Sequence, residues 1–199
     1  MSTLTRIVPW CHQLLSEVLR PGDLAVDLTA GQGRDTLLLA GAVGVSGQVI
    51  AFDVQQPALE QTAFSLKNEG YAVTNWEREG EIPPVPGIYL VQACHSSLRS
   101  YVTMPVRAAV ANLGWLPGGD PGLITLPETT RRALQGTLEL LCSGGRLAVV
   151  IYPGHPGGAD EAAGVERLLS ALPAGQWQVL RIGVANVAEA PGLLVVERK

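Results

Sequence analysis

The sequence predicts an α/β fold: a mostly parallel sheet with helices on both faces. Three observations predict it. Apolar runs of strand type alternate with segments of helical periodicity along the whole chain. A turn with two glycines, Gly31 and Gly33, follows the first apolar run, and the carboxylate Asp53 closes the second, which is the pattern of a βαβ unit. The last two strands are joined by about eight residues, whereas a parallel crossover needs a dozen or more, so those two strands are antiparallel.

Each element follows in order. Ile7, Cys11, Leu14, Leu15 and Val18 recur at helical spacing, and Pro21-Gly22 ends that helix before a strand over 24–28. A helix over 35–40 leads to a β-branched strand over 48–52, and a second helix spans 58–68. The polar, proline-rich stretch 77–87 reads as loop, followed by a strand over 88–93 and another over 108–112. After the loop 114–122, Pro127 suits a first helical turn, and Thr130, Leu134, Leu138 and Leu141 line one face of the helix that it opens. Cys142-Ser143-Gly144-Gly145 should stop that helix before a strand over 147–152. The loop 153–158 leads to a helix marked by Ala162, Val165, Leu169 and Leu172, and strands over 178–184 and 193–197 finish the chain. Seven strands result, one of them reversed.

At 199 residues, with no shift of composition along the chain, a single domain over 1–199 is expected. Hydrophobic residues at 47% against 16% charged residues exclude disorder as the main state. A net charge of −4 argues against broad electrostatic binding to nucleic acid, although nearly all of the basic residues are Arg and could be concentrated locally. Cys11, Cys94 and Cys142 are odd in number and form no C-x-x-C pair, which suggests neither disulfides nor a metal site and fits a reducing cytoplasm. No apolar run reaches the length of a membrane span, and the first helix is too polar for a signal peptide, so no membrane partner is expected.

The chemistry gathers where strands end. Asp27-Leu28-Thr29-Ala30-Gly31-Gln32-Gly33 turns the first strand into its helix, and the glycines let a ligand approach bare backbone at a helix N-terminus. Asp53, at the end of the second strand, suits ribose hydroxyls, a feature common to nucleoside cofactors. A dinucleotide fingerprint would want a small residue at Thr36 and has no need of Asp27, whereas a cofactor with an ammonium group gives that carboxylate a cationic partner. The reversed strand also separates methyltransferase sheets from the all-parallel dinucleotide-binding kind. Past other strand ends lie Asn112, able to accept an N–H through its side-chain oxygen, Tyr152 with a hydroxyl and an aromatic face, and His155, whose imidazole can accept or donate a proton. These parts suit the positioning of an amine. Asn112 could equally stabilise a turn, Trp115 fill the core, and His155 be an ordinary loop histidine. His95, past the third strand, either flanks an adenine or bonds a neighbouring loop.

With these residues in view, the chain resembles the "putative rRNA methylase" family of class I S-adenosylmethionine-dependent methyltransferases, whose characterised members are tRNA 5-aminomethyl-2-thiouridine methyltransferases. Four ordered motifs carry the resemblance: D-x-T-A-G-x-G-x-D-T over 27–36, N-L-G-W-L-P-G-G-D over 112–120, P-E-T-T over 127–130 and Y-P-G-H-P-G-G over 152–158. The chain departs from the family at Gln32 and Arg34, where Asn and His are usual, at Trp115, where Tyr is common, and in a shorter segment before the third strand. The resemblance implies a Rossmann-like class I methyltransferase fold with S-adenosylmethionine as cofactor, held by Asp27, Thr29, Gly31, Gln32, Gly33, Asp35, Thr36, Asp53, His95 and Asn112. It implies a tRNA anticodon loop as substrate, with the target base against Leu113, Gly114, Trp115, Tyr152 and His155, and Asn112, Tyr152 and His155 as the catalytic group. The implied reaction methylates the exocyclic amine of the wobble uridine, with Asn112 orienting the amine and His155 helping to take its proton. Arg34, Arg99, Arg107, Arg131 and Arg132 are candidate phosphate contacts or solvated surface charges. An rRNA or small-molecule methyltransferase, an NAD-dependent oxidoreductase and a catalytically silent RNA-binding module are the rival readings, and the sequence leaves open whether the chain forms a homodimer.

Overall fold

The computed structural model describes residues 6–116, 118 and 122–199. Its centre is one eight-stranded sheet. The strands are β1 (Leu24–Asp27), β2 (Gln48–Asp53), β3 (Val73–Trp76), β4 (Gly87–Gln92), β5 (Val106–Asn112), β6 (Leu141–Ile151), β7 (Trp177–Ile182) and β8 (Gly192–Arg198), in the spatial order β3-β4-β2-β1-β5-β6-β8-β7. The neighbours from β3 to β6 pair in parallel, and β8 pairs antiparallel with both β6 and β7. The single reversed strand is therefore β8, as the short final connection required.

The sheet has one strand more than the sequence predicts. The addition, β3, reads Val-Thr-Asn-Trp at the sheet's edge, with its middle residues exposed. An edge strand paired on one side needs no apolar run, so hydrophobic patterning does not reveal it. A second difference lies at residues 142–145, expected to be a helix stop. The helix does end at Leu140, but β6 already begins at Leu141. The β5–β6 register jumps between Val106↔Leu141 and Ala108↔Arg146, the signature of a bulge. Gly145 sits where a Cβ would come 2.9 Å from the Arg107 carbonyl, so the strand can close against β5 there only without a side chain.

Residues alternate between the sheet's two faces, and each face is covered. α1 (Ile7–Ser16), α2 (Arg34–Val43) and α3 (Gln56–Asn68) bring Ile7, Cys11, Leu15, Leu39, Val43, Leu59 and Leu66 onto Ala25, Val49, Ala108 and Val110. On the other face α4 (Leu98–Tyr101), α5 (Pro127–Leu140) and α6 (Gly158–Ser170) set Leu98, Leu134, Leu138, Val165 and Leu169 on Val26, Phe52, Ala109 and Val149. Arg146 of β6 locks α1 in place, donating to the Leu14 carbonyl at 2.6 Å and to Glu17 and Glu197 at 2.7 Å. Among the described residues no helix is long and apolar enough to cross a membrane. Phe52, with no exposed surface, meets Tyr101 edge-on at 5.7 Å between ring centres. Phe52→Ala should cost about 3–5 kcal/mol of unfolding free energy, read by chemical denaturation.

Candidate active site

The parallel strands β1, β2, β4, β5 and β6 all point their C-terminal ends the same way, and the sequence-predicted residues gather at that edge. Asp27 ends β1 and is wholly buried. One of its oxygens accepts the Thr29 N–H at 3.0 Å, and the other accepts the Thr36 hydroxyl at 2.6 Å. That carboxylate clamps the turn to the first coil of α2. Asp27 and Thr36 thus lie beneath the glycine turn, with no surface facing a ligand. Burial first, and then the neighbouring Asp35 carboxylate, push the Asp27 pKa up to about 7.

Above the clamp, Gly31 and Gly33 take left-handed conformations, with φ of 53° and 80°. They need glycine for different reasons. A Cβ on Gly33 would stand 2.9 Å from the Thr62 Cα, so its bare backbone is required by the fit of α3. At Gly31 a Cβ would make only an ordinary contact with Leu116, 3.6 Å away, so there the left-handed backbone rather than space favours glycine. The Gly31 N–H donates to one Asp53 oxygen at 3.0 Å, and the Gln55 N–H donates to the other at 2.9 Å. A carboxylate has about four acceptor positions, which leaves Asp53 capacity for two ribose hydroxyls. The Gln32 carbonyl accepts the Ser65 hydroxyl at 3.3 Å. His95 is buried, bonds the Leu28 carbonyl through Nδ1 at 3.2 Å, and has no partner at Nε2. Burial holds its pKa below the usual histidine range, so the ring is neutral and offers a bare Nε2 acceptor. An unpartnered buried nitrogen, an acid at the next strand end and a left-handed glycine turn fit the adenosyl part of S-adenosylmethionine.

The second group lies beside the first. The Asn112 N–H donates to the Thr29 hydroxyl oxygen at 2.8 Å, and its side-chain Nδ2 donates to Asp35 at 3.2 Å. The other Asp35 oxygen meets His12 Nε2 at 2.5 Å. Tyr152 follows β6; burial, then the Asp35 charge, raise its pKa, so its hydroxyl stays protonated. His155 bonds the Pro156 carbonyl through Nδ1 at 3.0 Å, while Nε2 is buried without a partner and faces Gly114. Trp115 stands edge-on to that ring, with centres 5.0 Å apart, and is 46% exposed. Leu113, by contrast, is buried in the core. Gly158 must lack a side chain, because a Cβ would come 2.7 Å from the His155 ring.

Residues that the sequence reading passed over hold this wall in place. Glu161 of α6 is buried and accepts both the Thr125 and the Thr130 hydroxyls at 2.6 Å, while Thr125 exchanges hydrogen bonds with the Gly114 backbone. Glu161 reads in sequence as one more acid in a helix's first turn, and only its burial reveals the role. Pro117, Gly119 and Asp120 of the 112–120 motif lie outside the described residues. Of the candidate arginines, Arg34 heads α2 beside the turn, and Arg131 and Arg132 are exposed on α5. Arg99 pairs with Glu139, and Arg107 lies at the far end of β5 from Asn112.

The raised Asp27 pKa has a definite sign. An acid near 3.9 when unfolded that holds its proton to about 7 when folded stabilises the fold below that window, and the contribution is lost as pH rises through it. The melting temperature of Asp27→Asn relative to the parent protein should therefore rise between pH 5 and pH 8.

Known proteins resemble this chain in sequence and in fold. Residues 49–198 match the family model described as "Putative rRNA methylase". A curated relative from Arabidopsis thaliana, "tRNA (mnm(5)s(2)U34)-methyltransferase, chloroplastic", is 35% identical over 195 residues, covering 94% of this chain and 68% of that protein. A crystal structure of a "putative rRNA-methylase" from Clostridium thermocellum superposes with a TM-score of 0.86 at 33% identity, covering 96% of this chain and 97% of that one. A "putative methyltransferase" from Streptococcus mutans, solved in complex with SAH, gives 0.81 at 31% identity over 98% of both chains. The chain belongs to the rRNA methylase family, a methyltransferase that takes S-adenosylmethionine as its cofactor.

Proposed function

We propose that this protein methylates the exocyclic amine of 5-aminomethyl-2-thiouridine at the wobble position of tRNA. The observation that carries the reading is one juxtaposition: Asn112 bonds Asp35, whose charge reaches Tyr152, while Tyr152 and His155 both border Gly114 and Trp115 stands edge-on to His155. When bound, S-adenosylmethionine supplies a methyl group carried on a sulfonium. Gly31, Asp53 and His95 would hold its adenosine, and the Asp35 carboxylate favours its ammonium. Asn112 accepts an N–H of the target amine through Oδ1, Tyr152 closes the inner wall, and Trp115, Leu123 and Leu126, all exposed, offer apolar surface for an unstacked base. An alkylamine is largely protonated near neutral pH and has no lone pair until a proton leaves. With Nδ1–H donating to Pro156, His155 carries its lone pair on Nε2, on the side facing Gly114, and takes that proton there. The name of the Arabidopsis relative supports this choice of acceptor, and three free cysteines suit the reducing cytoplasm where tRNA is modified.

Incubating the protein with isotope-labelled S-adenosylmethionine and tRNA that lacks its last wobble methylation, then analysing nucleosides by mass spectrometry, tests the reading. Label should appear on the 5-aminomethyl nitrogen of 2-thiouridine. Unlabelled tRNA, with label instead in ribosomal RNA or in free amines when these are supplied in parallel, would replace the acceptor. His155→Ala should slow turnover by roughly 10²-fold or more while changing S-adenosylhomocysteine affinity less than about two-fold.

A further inference from the structure

We infer that His12 is a positioning residue for methyl transfer: through Asp35 it fixes where the Asn112 side-chain amide stands and so where its oxygen meets the acceptor nitrogen. This rests on the reading of the site as an N-methyltransferase and adds to it a residue of α1, an element outside every sequence motif of the site. Ile7, Cys11 and Leu15 dock one stripe of α1 on the sheet, and Arg146 ties its end to β6. His12, the residue after Cys11, is thereby turned toward the first coil of α2, where Asp35 lies.

The logic is that of donors and acceptors. Asp35 is buried with an exposure of 6%, and its carboxylate only accepts. One oxygen takes His12 Nε2–H at 2.5 Å, and the other takes Asn112 Nδ2–H at 3.2 Å. The reversed amide would set Oδ1 against a carboxylate oxygen, so Asn112 must offer its nitrogen to Asp35 and its oxygen to the site. The Asn112 backbone is pinned independently by Thr29. Asp27, Cys11 and Tyr152, on which the Asp35 charge acts, are all acids and bring it no positive charge. Without His12, one Asp35 oxygen loses its donor, and the carboxylate can turn to draw the Asn112 amide away from the amine. A misplacement of this kind near a reacting centre costs up to about 10²-fold in rate.

Two variants separate positioning from mere support. Gln places a neutral N–H donor close to where histidine places Nε2–H, and Ala supplies none. With tRNA as acceptor, His12→Ala should lower kcat about ten-fold or more, with S-adenosylhomocysteine affinity and KM for tRNA within about two-fold. His12→Gln should return to within about three-fold of the parent. In the ¹⁵N spectrum of the full chain, the Asn112 side-chain amide pair should shift in His12→Ala and return in His12→Gln. If His12→Ala does not fold, His12→Met fills the space without a donor and should be slow where His12→Gln is not. The inference is overturned by a folded donor-free variant with parental kcat, by His12→Gln no faster than that variant, or by an unmoved Asn112 resonance. A parent protein that methylates no tRNA overturns the acceptor assignment alone, and the amide resonance then decides the inference by itself.

Discussion

A carboxylate with no access to water organises the whole C-terminal edge of this sheet. Asp27 receives the Thr29 N–H and the Thr36 hydroxyl, so the chain leaving β1 must turn at once and enter α2 in one register. Thr29, held in that turn, accepts the Asn112 N–H and so joins the end of β1 to the end of β5. The glycine turn can then offer Gly31 to Asp53, and the same frame brings Asn112 to Asp35. The proposed cofactor and acceptor sites are two sides of one hydrogen-bonded structure.

Such an arrangement has a cost. Asp27 is buried close enough to Asp35 that the neighbouring charge disfavours its ionisation, and a hydrophobic pair there would avoid the penalty. The cost makes sense at a site whose ligand carries positive charge. His12 offsets part of it at Asp35, and a bound cation would offset more. With a net charge of −4 over the whole chain, the RNA acceptor proposed above would be held by local contacts, which the exposed Arg34, Arg131 and Arg132 could supply.

Much of this was legible before any coordinates, because strand ends in a parallel sheet all face one way, so motifs far apart in sequence had to meet. Asp27, Asp53, Asn112 and His155 each close or follow an apolar run. Less legible was whatever broke the link between pattern and place. β3 is polar because one edge of it is solvated, and residues 141–145 enter the sheet through a bulge that glycine makes possible. His12 and Glu161 lie on amphipathic helices, where a polar residue in sequence reads as solvent-facing; their partners come from elements 23 residues or more away. Thr36 is instructive in the opposite way: its place in the motif is plain, but its hydroxyl serves the clamp from below.

Asp53 is where the frame and the proposed cofactor site meet, since it fixes Gly31 and is left with acceptor positions that a ribose could use. Calorimetric titration of S-adenosylhomocysteine into the parent protein and into Asp53→Ala tests the account most directly. It predicts at least about ten-fold weaker binding by a variant that remains folded, as befits the loss of charge-assisted hydrogen bonds. Undiminished affinity in a folded Asp53→Ala protein would contradict it.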